Sequence, residues 1–332
     1  MLASVFAGSL LASLLVVAGS PALAHPPGAF VVQCAFTHTL RDDPIVYPGD
    51  PGGSPHNHAF FGNKSTNARS TYRSLRNAKT TCTDAKDLAA EWTPTGSYKK
   101  NGSWHFMKPG RIRVYYFPSL RVGIDGPLST IPKNIRIIGG NPHAMSARQN
   151  PAVRWTCGGP KAPEVNHPYN CLPYTAGVGT PLRDGVRAMV DFPFCWDGKH
   201  LDSPDHFSHV IYPDPKDTTP HEHPPDCPGG HPKNIPAISV RVHWPIYDPC
   251  FGATPCGPYN SSGKKVKIRL SSGPYWTMHA DFWNAWVQKR LNQLVDQCLR
   301  DGVDCGILGV TGHCCPPSLT AQRRAEAIVR RT

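Results

Sequence analysis

Proline and glycine break this chain at short intervals. With 36 Pro and 30 Gly spread over 332 residues, hardly a gap between apolar runs lacks one, which makes the chain loop-rich. The runs between the breaks read as strands: 30–36, 112–117, 135–138, 153–157, 186–194, 209–212, 238–244 and 266–270. Several alternate with period 2. In the last part of 238–244, Val240, Val242 and Trp244 face one way and Arg241 and His243 the other. Only 17% of residues are charged, which argues against a long solvated helical protein. The expected fold is mainly β, a sandwich or jelly-roll-like domain with long loops, disulfide-rich, with one C-terminal helix.

Two stretches depart from the strand pattern. Residues 65–76 read as a short helix with a Ser or Thr at its start. Residues 282–299 read as a longer one, with Trp283, Val287, Leu291, Leu294 and Cys298 on one stripe and Asp281 placed to cap it.

Residues 1–24 form an uncharged apolar run ending in Ala22-Leu23-Ala24, the small-x-small pattern of a signal-peptidase site. This predicts export, with a mature chain that starts at His25. A membrane anchor is the competing reading, but no second apolar span follows. Twelve cysteines, all downstream of this leader, fit an oxidising compartment and predict disulfides, including small local loops at Cys250–Cys256 and Cys298–Cys305. No C-x-x-C pair supports a Cys-rich zinc site. The organisation expected is a signal peptide at 1–24, a single β-rich domain at 25–300 and a Cys-containing basic tail at 301–332.

A formal charge of +12 draws an extracellular protein toward polyanions such as acidic polysaccharides or wall polymers. No zinc finger, RNP motif or basic heptad helix is present, so no specific nucleic-acid partner is expected. The protein is expected to be a monomer without a transmembrane span.

Chemistry-bearing residues concentrate in three segments. In the first, His56 and His58 stand two apart, so on a strand both imidazoles share one face with Phe60. The second carries Asp191, Asp197, Asp202, Asp205, His206 and His209. The third carries Tyr275, His279, Asp281 and Asn284.

These residues resemble a family of secreted bacterial and fungal proteins catalogued as domain of unknown function nineteen-ninety-six. The resemblance rests on Cys34, Asp43-Pro44-Ile45-Val46, the Pro48-Gly49 turn and His56-Asn57-His58. It continues in Cys195-Trp196-Asp197-Gly198-Lys199, the Asp205-His206 pair with His209, the Cys227-Pro228 turn with His231-Pro232, and His279 with Asp281-Phe282. It covers about residues 34–300. Asn284-Ala285-Trp286 stands where the family commonly has Asn-Gly-Trp, and the segment beyond Gly302 lies outside the pattern. The resemblance implies no mechanism.

Roles therefore follow from chemistry. The pairs His56/His58 and His206/His209 have spacings suited to ligating a divalent metal (Zn, Ca or Cu), with Asp205 or Asp281 to complete a mixed site. The sharpest expectation is that His56, His58, Asp205, His206, His209, His279 and Asp281 converge on one cleft and act catalytically, with Trp196, Lys199 and Tyr275 as substrate contacts. If only two segments meet, a metal-free acid/base pair is expected instead. His221-Glu222-His223 reads as a solvated loop. The contiguous HNH string lacks the dispersed arrangement of HNH nucleases, and serine-hydrolase and zincin motifs are absent.

Three function classes follow. One is a lyase or hydrolase acting on acidic extracellular polysaccharide, the hydrolase drawing on Asp197, Asp205 or Asp281. The second is a non-catalytic polysaccharide-binding module. The third is a copper protein that chelates through the amine and imidazole of His25.

Overall fold

The computed structural model describes residues 28–100, 102–118, 128–157, 162–169, 171, 174–175, 181–182, 185–213, 227–245 and 267–309. The leader, His25, the His221-Glu222-His223 loop and Cys250, Cys256, Cys314 and Cys315 lie outside them.

The fold is mainly β, as expected. Its ten-stranded sheet comprises β1 (Ala29–Leu40), β2 (His58–Gly62), β3 (Ala90–Pro94), β4 (Arg111–Phe117), β5 (Arg136–Gly140), β6 (Val153–Thr156), β7 (Val186–Asp191), β8 (Ala237–Trp244), β9 (His279–Trp283) and β10 (Asp304–Ile307). The order is β5-β9-β3-β2-β1-β4-β8-β7-β6, antiparallel throughout, with β10 added parallel to β1.

Strand β1 is the corner of this sheet. Its first half pairs with β4 and its second half with β2, with a register shift between Phe36 and His38. A long strand with an irregularity at its middle can belong to two layers at once. The sheet curls until it nearly closes. Across the seam the Gly140 N–H donates to the Tyr212 hydroxyl (3.0 Å), which donates to the Asp191 carbonyl (2.7 Å). Gly139 meets Phe192 there, and a Cβ at that position would lie 2.9 Å from the ring.

The main core fills the interior. Ile112, Val114 and Tyr116 of β4 are buried and alternate with half-buried neighbours, and Val240, Val242 and Trp244 of β8 face the same core. Each large apolar side chain removed from water contributes about 1.5–3 kcal/mol. A second, smaller cluster lies on the opposite face of β2, β3, β5 and β9. It joins Phe60, Trp92, Ile138 and Trp283 to Ile45 and Leu88 from the covering loops and to Leu75 from a short helix. Because successive strand residues point to opposite faces, β2 sends Ala59 and Phe61 inward and His58 and Phe60 outward.

The helices differ from expectation. The first spans Tyr72–Arg76 only, with Thr71 capping it through a reciprocal pair with Ser74. The C-terminal helix starts at Gln288 and runs to Leu294, then continues as a wider π turn over Val295–Arg300. Residues 282 and 283 belong to β9, so Asp281 is a strand residue and not a cap. The physical reason is that β9 is hydrogen-bonded on both sides, to β3 and β5. Ladders on both sides of residues 281–283 outweigh the local helical spacing. Leu291, Leu294 and Cys298 do pack on the main core as the stripe predicted.

Four disulfides tie the described residues: Cys34–Cys82, Cys157–Cys171, Cys195–Cys227 and Cys298–Cys305. The last is the local loop read from the sequence. It anchors β10, so residues 304–307, placed in the tail by the sequence reading, add a strand beside β1. No described helix is long and apolar enough to cross a membrane.

Candidate metal centre

Three imidazoles meet on the outward face of β2 and β9. His58 opens β2 and His279 opens β9, both fully buried, while half-buried His56 approaches from the bend before β2. Their ring centroids lie 4.4 Å (His56–His58), 5.2 Å (His56–His279) and 5.9 Å (His58–His279) apart. One ligating atom from each falls within 4.8 Å of the others.

The backbone fixes two of the three tautomers. His58 Nδ1 lies 2.8 Å from the Asp42 carbonyl and His279 Nδ1 lies 2.9 Å from the Thr277 carbonyl. A carbonyl only accepts, so each Nδ1 carries the proton and each Nε2 presents a lone pair. The His58 Nε2 is buried with no hydrogen-bond partner among the described residues. His56 Nε2 stands 3.3 Å from His279 Nε2. That separation is close to the edge of a tetrahedron whose ligand nitrogens lie about 2.0–2.1 Å from a central ion. Without an ion, the same contact is a hydrogen bond donated by His56.

The electrostatics hold the trio neutral. Burial, with the charge of nearby His143, lowers His56 to about 4. Burial, opposed by the Thr277 carbonyl and aided by His56 and His143, lowers His279 to about 3. Burial and the two neighbouring imidazoles push His58 well below its ordinary value. Asp281 follows His279 by two residues on the same face of β9. Its Oδ2 lies 4.0 Å from His279 Nε2, and neither carboxyl oxygen has a hydrogen-bond partner among the described residues. Burial and the charge of Asp43 raise its pKa well above the usual carboxylate range.

The family Domain of unknown function (DUF1996) matches residues 43–286. The chain belongs to this family. No curated protein and no solved structure matches it. All three histidines and Asp281 of this DUF1996 protein fall within the matched range, as does Asp43.

Asp43 had not been singled out as a site residue, although its motif was visible. Its Oδ1 accepts the N–H groups of Ile45 (3.0 Å) and Val46 (3.1 Å), folding Asp-Pro-Ile-Val into a turn. Neighbouring Asp42 accepts the N–H groups of Gly52 and Ala68 with its carboxylate. Together they shape the loop whose carbonyl orients His58. His143 was likewise missed, since nothing in its local sequence ties it to residues 56 and 279.

The second segment contributes no ligand to the trio among the described residues. His209 is engaged at both nitrogens, Nε2 to the Arg136 carbonyl (2.7 Å) and Nδ1 to the Ser203 hydroxyl (2.9 Å). His206 pairs through Nδ1 with Asp202 (3.0 Å), adopts a left-handed backbone, and its charge is felt by Asp43. Asp205 is exposed and organises its own turn. The Ser203 hydroxyl, the Ser208 and Phe207 N–H groups and the Ser208 hydroxyl hold its carboxyl well below the usual range.

Of the expected substrate contacts, Trp196 is half-buried and donates to the His200 carbonyl, Lys199 is exposed on the adjacent turn, and Tyr275 packs edge-on against Trp155. Asp197 is bound to His200.

Proposed function

We propose that this DUF1996 protein is an extracellular, metal-dependent enzyme of acidic polysaccharide, and that His56, His58 and His279 hold its divalent metal. The observation that carries the metal assignment is the convergence of three neutral imidazoles, two with their second nitrogen on a backbone carbonyl. Ligating histidines almost always donate their other N–H in this way. Three nitrogen donors suit Zn²⁺ or Cu²⁺ and disfavour Ca²⁺, which takes oxygen ligands. The 3.3 Å nitrogen separation favours tetrahedral Zn²⁺, with its fourth position open to water or substrate.

Elimination suits this neighbourhood better than a two-carboxyl hydrolysis. In a uronate the base removes the C5 proton, a C4–C5 double bond forms, and the C4–O bond breaks with its electron pair going to the leaving oxygen, which takes a proton. A bound cation would offset charge on the uronate carboxylate. The exposed His143, whose charge acts on both His56 and His279, is the candidate base. Asp281 lies buried with its Oδ2 4.0 Å from His279 Nε2 and so flanks the proposed ligands. A hydrolase pair is less well supported, because Asp205 is locked in its own turn and Asp197 is bound to His200.

The test is calorimetric titration of chelator-treated protein with Zn²⁺, Cu²⁺ and Ca²⁺ in a His221→Ala/His223→Ala background, so that this closely spaced histidine pair cannot take up the added metal. Tight Zn²⁺ or Cu²⁺ binding at one equivalent, lost in His58→Ala and in His279→Ala, is expected. Equal binding with and without those histidines would overturn the assignment. The metal-loaded protein is then screened on acidic polysaccharides for the ultraviolet absorbance of unsaturated uronates. Depolymerisation without that absorbance would favour hydrolysis.

A further inference from the structure

A small four-stranded sheet flanks the barrel, in the order 273–274, 268–270, 96–100, 103–107. Its inner face is apolar: Met107, Ile268 and Leu270 are buried in the main core, with Tyr98 against it. Its outer face is unusual for this protein. Five of the eight tryptophans are fully buried, yet Trp104 is 38% and Phe106 53% exposed on this face. They sit two residues apart on the edge strand and so point the same way. The cross-strand partner of Trp104 is Lys99, and Arg269 lies opposite Ser97, itself the partner of Phe106. The Arg269 guanidinium stands 4.4 Å and the Lys99 ammonium 5.9 Å from the Trp104 ring centroid.

We infer that this face is a binding platform for an acidic oligosaccharide, in which sugar rings stack on Trp104 and Phe106 while Lys99 and Arg269 meet uronate carboxylates. The inference rests on the acidic-polysaccharide part of the reading above and adds the surface that recognises the polymer. Two exposed aromatics on an edge strand are an aggregation liability unless they serve a partner. Two cations on the same face give that partner a negative charge, in keeping with the net charge of +12.

The platform is connected to the imidazole trio. Ser271, one residue past strand 268–270, donates its hydroxyl to the carbonyl of Asn57 (2.6 Å), the residue between His56 and His58. Strand 273–274 leads through a single 3₁₀ turn to Thr277, whose carbonyl orients His279. A polymer lying on this face therefore abuts elements that position the metal ligands.

The test uses the mature chain with excess chelator, so that failure of the metal assignment leaves the readout unaffected. Binding of oligogalacturonate is compared with that of the same oligomer methyl-esterified and with phosphatidylserine vesicles. The variants are Trp104→Ala/Phe106→Ala, Lys99→Ala/Arg269→Ala, and Lys64→Ala/Arg69→Ala as a charge-matched control elsewhere on the surface. The expected result is preference for the free acid and a loss of about tenfold or more in both platform variants, with the control near wild type. The Lys99/Arg269 pair keeps the aromatics intact and guards against misfolding of the first variant. Equal affinity for the ester, equal weakening in the control, undiminished binding by the platform variants, or preferential binding to vesicles would each overturn the inference.

Discussion

The burial that keeps the three histidines neutral has a measurable consequence for metal affinity. A histidine with an ordinary pKa near 6.5 must shed its proton before it can ligate, and at pH 5 that costs about 2 kcal/mol per ligand. Three such ligands lose roughly 10⁴-fold in affinity between pH 7 and pH 5. Here the fold has already removed the protons. With His56 lowered to about 4 and His279 to about 3, and His58 well below its ordinary value, only His56 carries any proton at pH 5, in about one molecule in ten. The expected loss over those two pH units is about twofold or less. Below pH 4 His56 begins to compete, and affinity should then fall about tenfold per pH unit. The assay is the apparent Zn²⁺ Kd from competition with a chromophoric chelator at pH 7, 6 and 5, in the His221→Ala/His223→Ala background. A loss of about 100-fold or more by pH 5 would mean that the imidazoles are hydrated and titrate normally, and the buried-trio argument would fail.

How far the sequence revealed this arrangement depends on which faces of each strand are buried. Strand β4 alternates buried and half-buried residues and β8 carries Val240, Val242 and Trp244 on one face, so period-2 reading found both. Strands β2, β3 and β9 are buried on both faces, one by the main core and one by the loops over the second cluster. Alternation vanishes there. Polar residues on the loop-covered face, His58, His279 and Asp281 among them, then make a strand look like a loop or, for β9, like the start of a helix. The same double burial hides the histidine partnership. His56 and His58 drew notice by their spacing, but His279 lies 223 residues beyond His56, and only the sheet order β9-β3-β2 brings them together. The pair at 206 and 209 had an equally suggestive spacing. What set it apart was the local hydrogen bonding of Ser203, Asp202 and the Arg136 carbonyl, which occupies nitrogens that spacing alone left free.

Two further outcomes test how the frame around the site is held. Tyr212→Phe removes the hydroxyl that links the Gly140 N–H to the Asp191 carbonyl across the barrel seam, and should cost about 1–3 kcal/mol in urea denaturation; an unchanged midpoint would show that the hydroxyl link does not stabilise the seam. Glu91→Gln tests the acid pair inside the main core. Glu91 is fully buried with neither carboxyl oxygen hydrogen-bonded among the described residues, and Asp87 nearby leaves its Oδ2 unpartnered. Burial, reinforced by Asp87, pushes Glu91 well above its ordinary value, and burial does the same to Asp87. The folded chain therefore keeps a proton that the unfolded chain releases above about pH 4.3, and stability falls as pH rises, by up to about 1.4 kcal/mol per pH unit for each such group. A glutamine of nearly the same shape cannot titrate, so its constant packing offset cancels when two pH values are compared. The variant should gain up to about 1.4 kcal/mol relative to wild type between pH 5 and pH 6, read as the change in their difference in unfolding free energy. If the two pH profiles run parallel, Glu91 ionises within the fold as it does in water, and the core around Tyr116 and Trp286 must admit enough solvent to stabilise the charge.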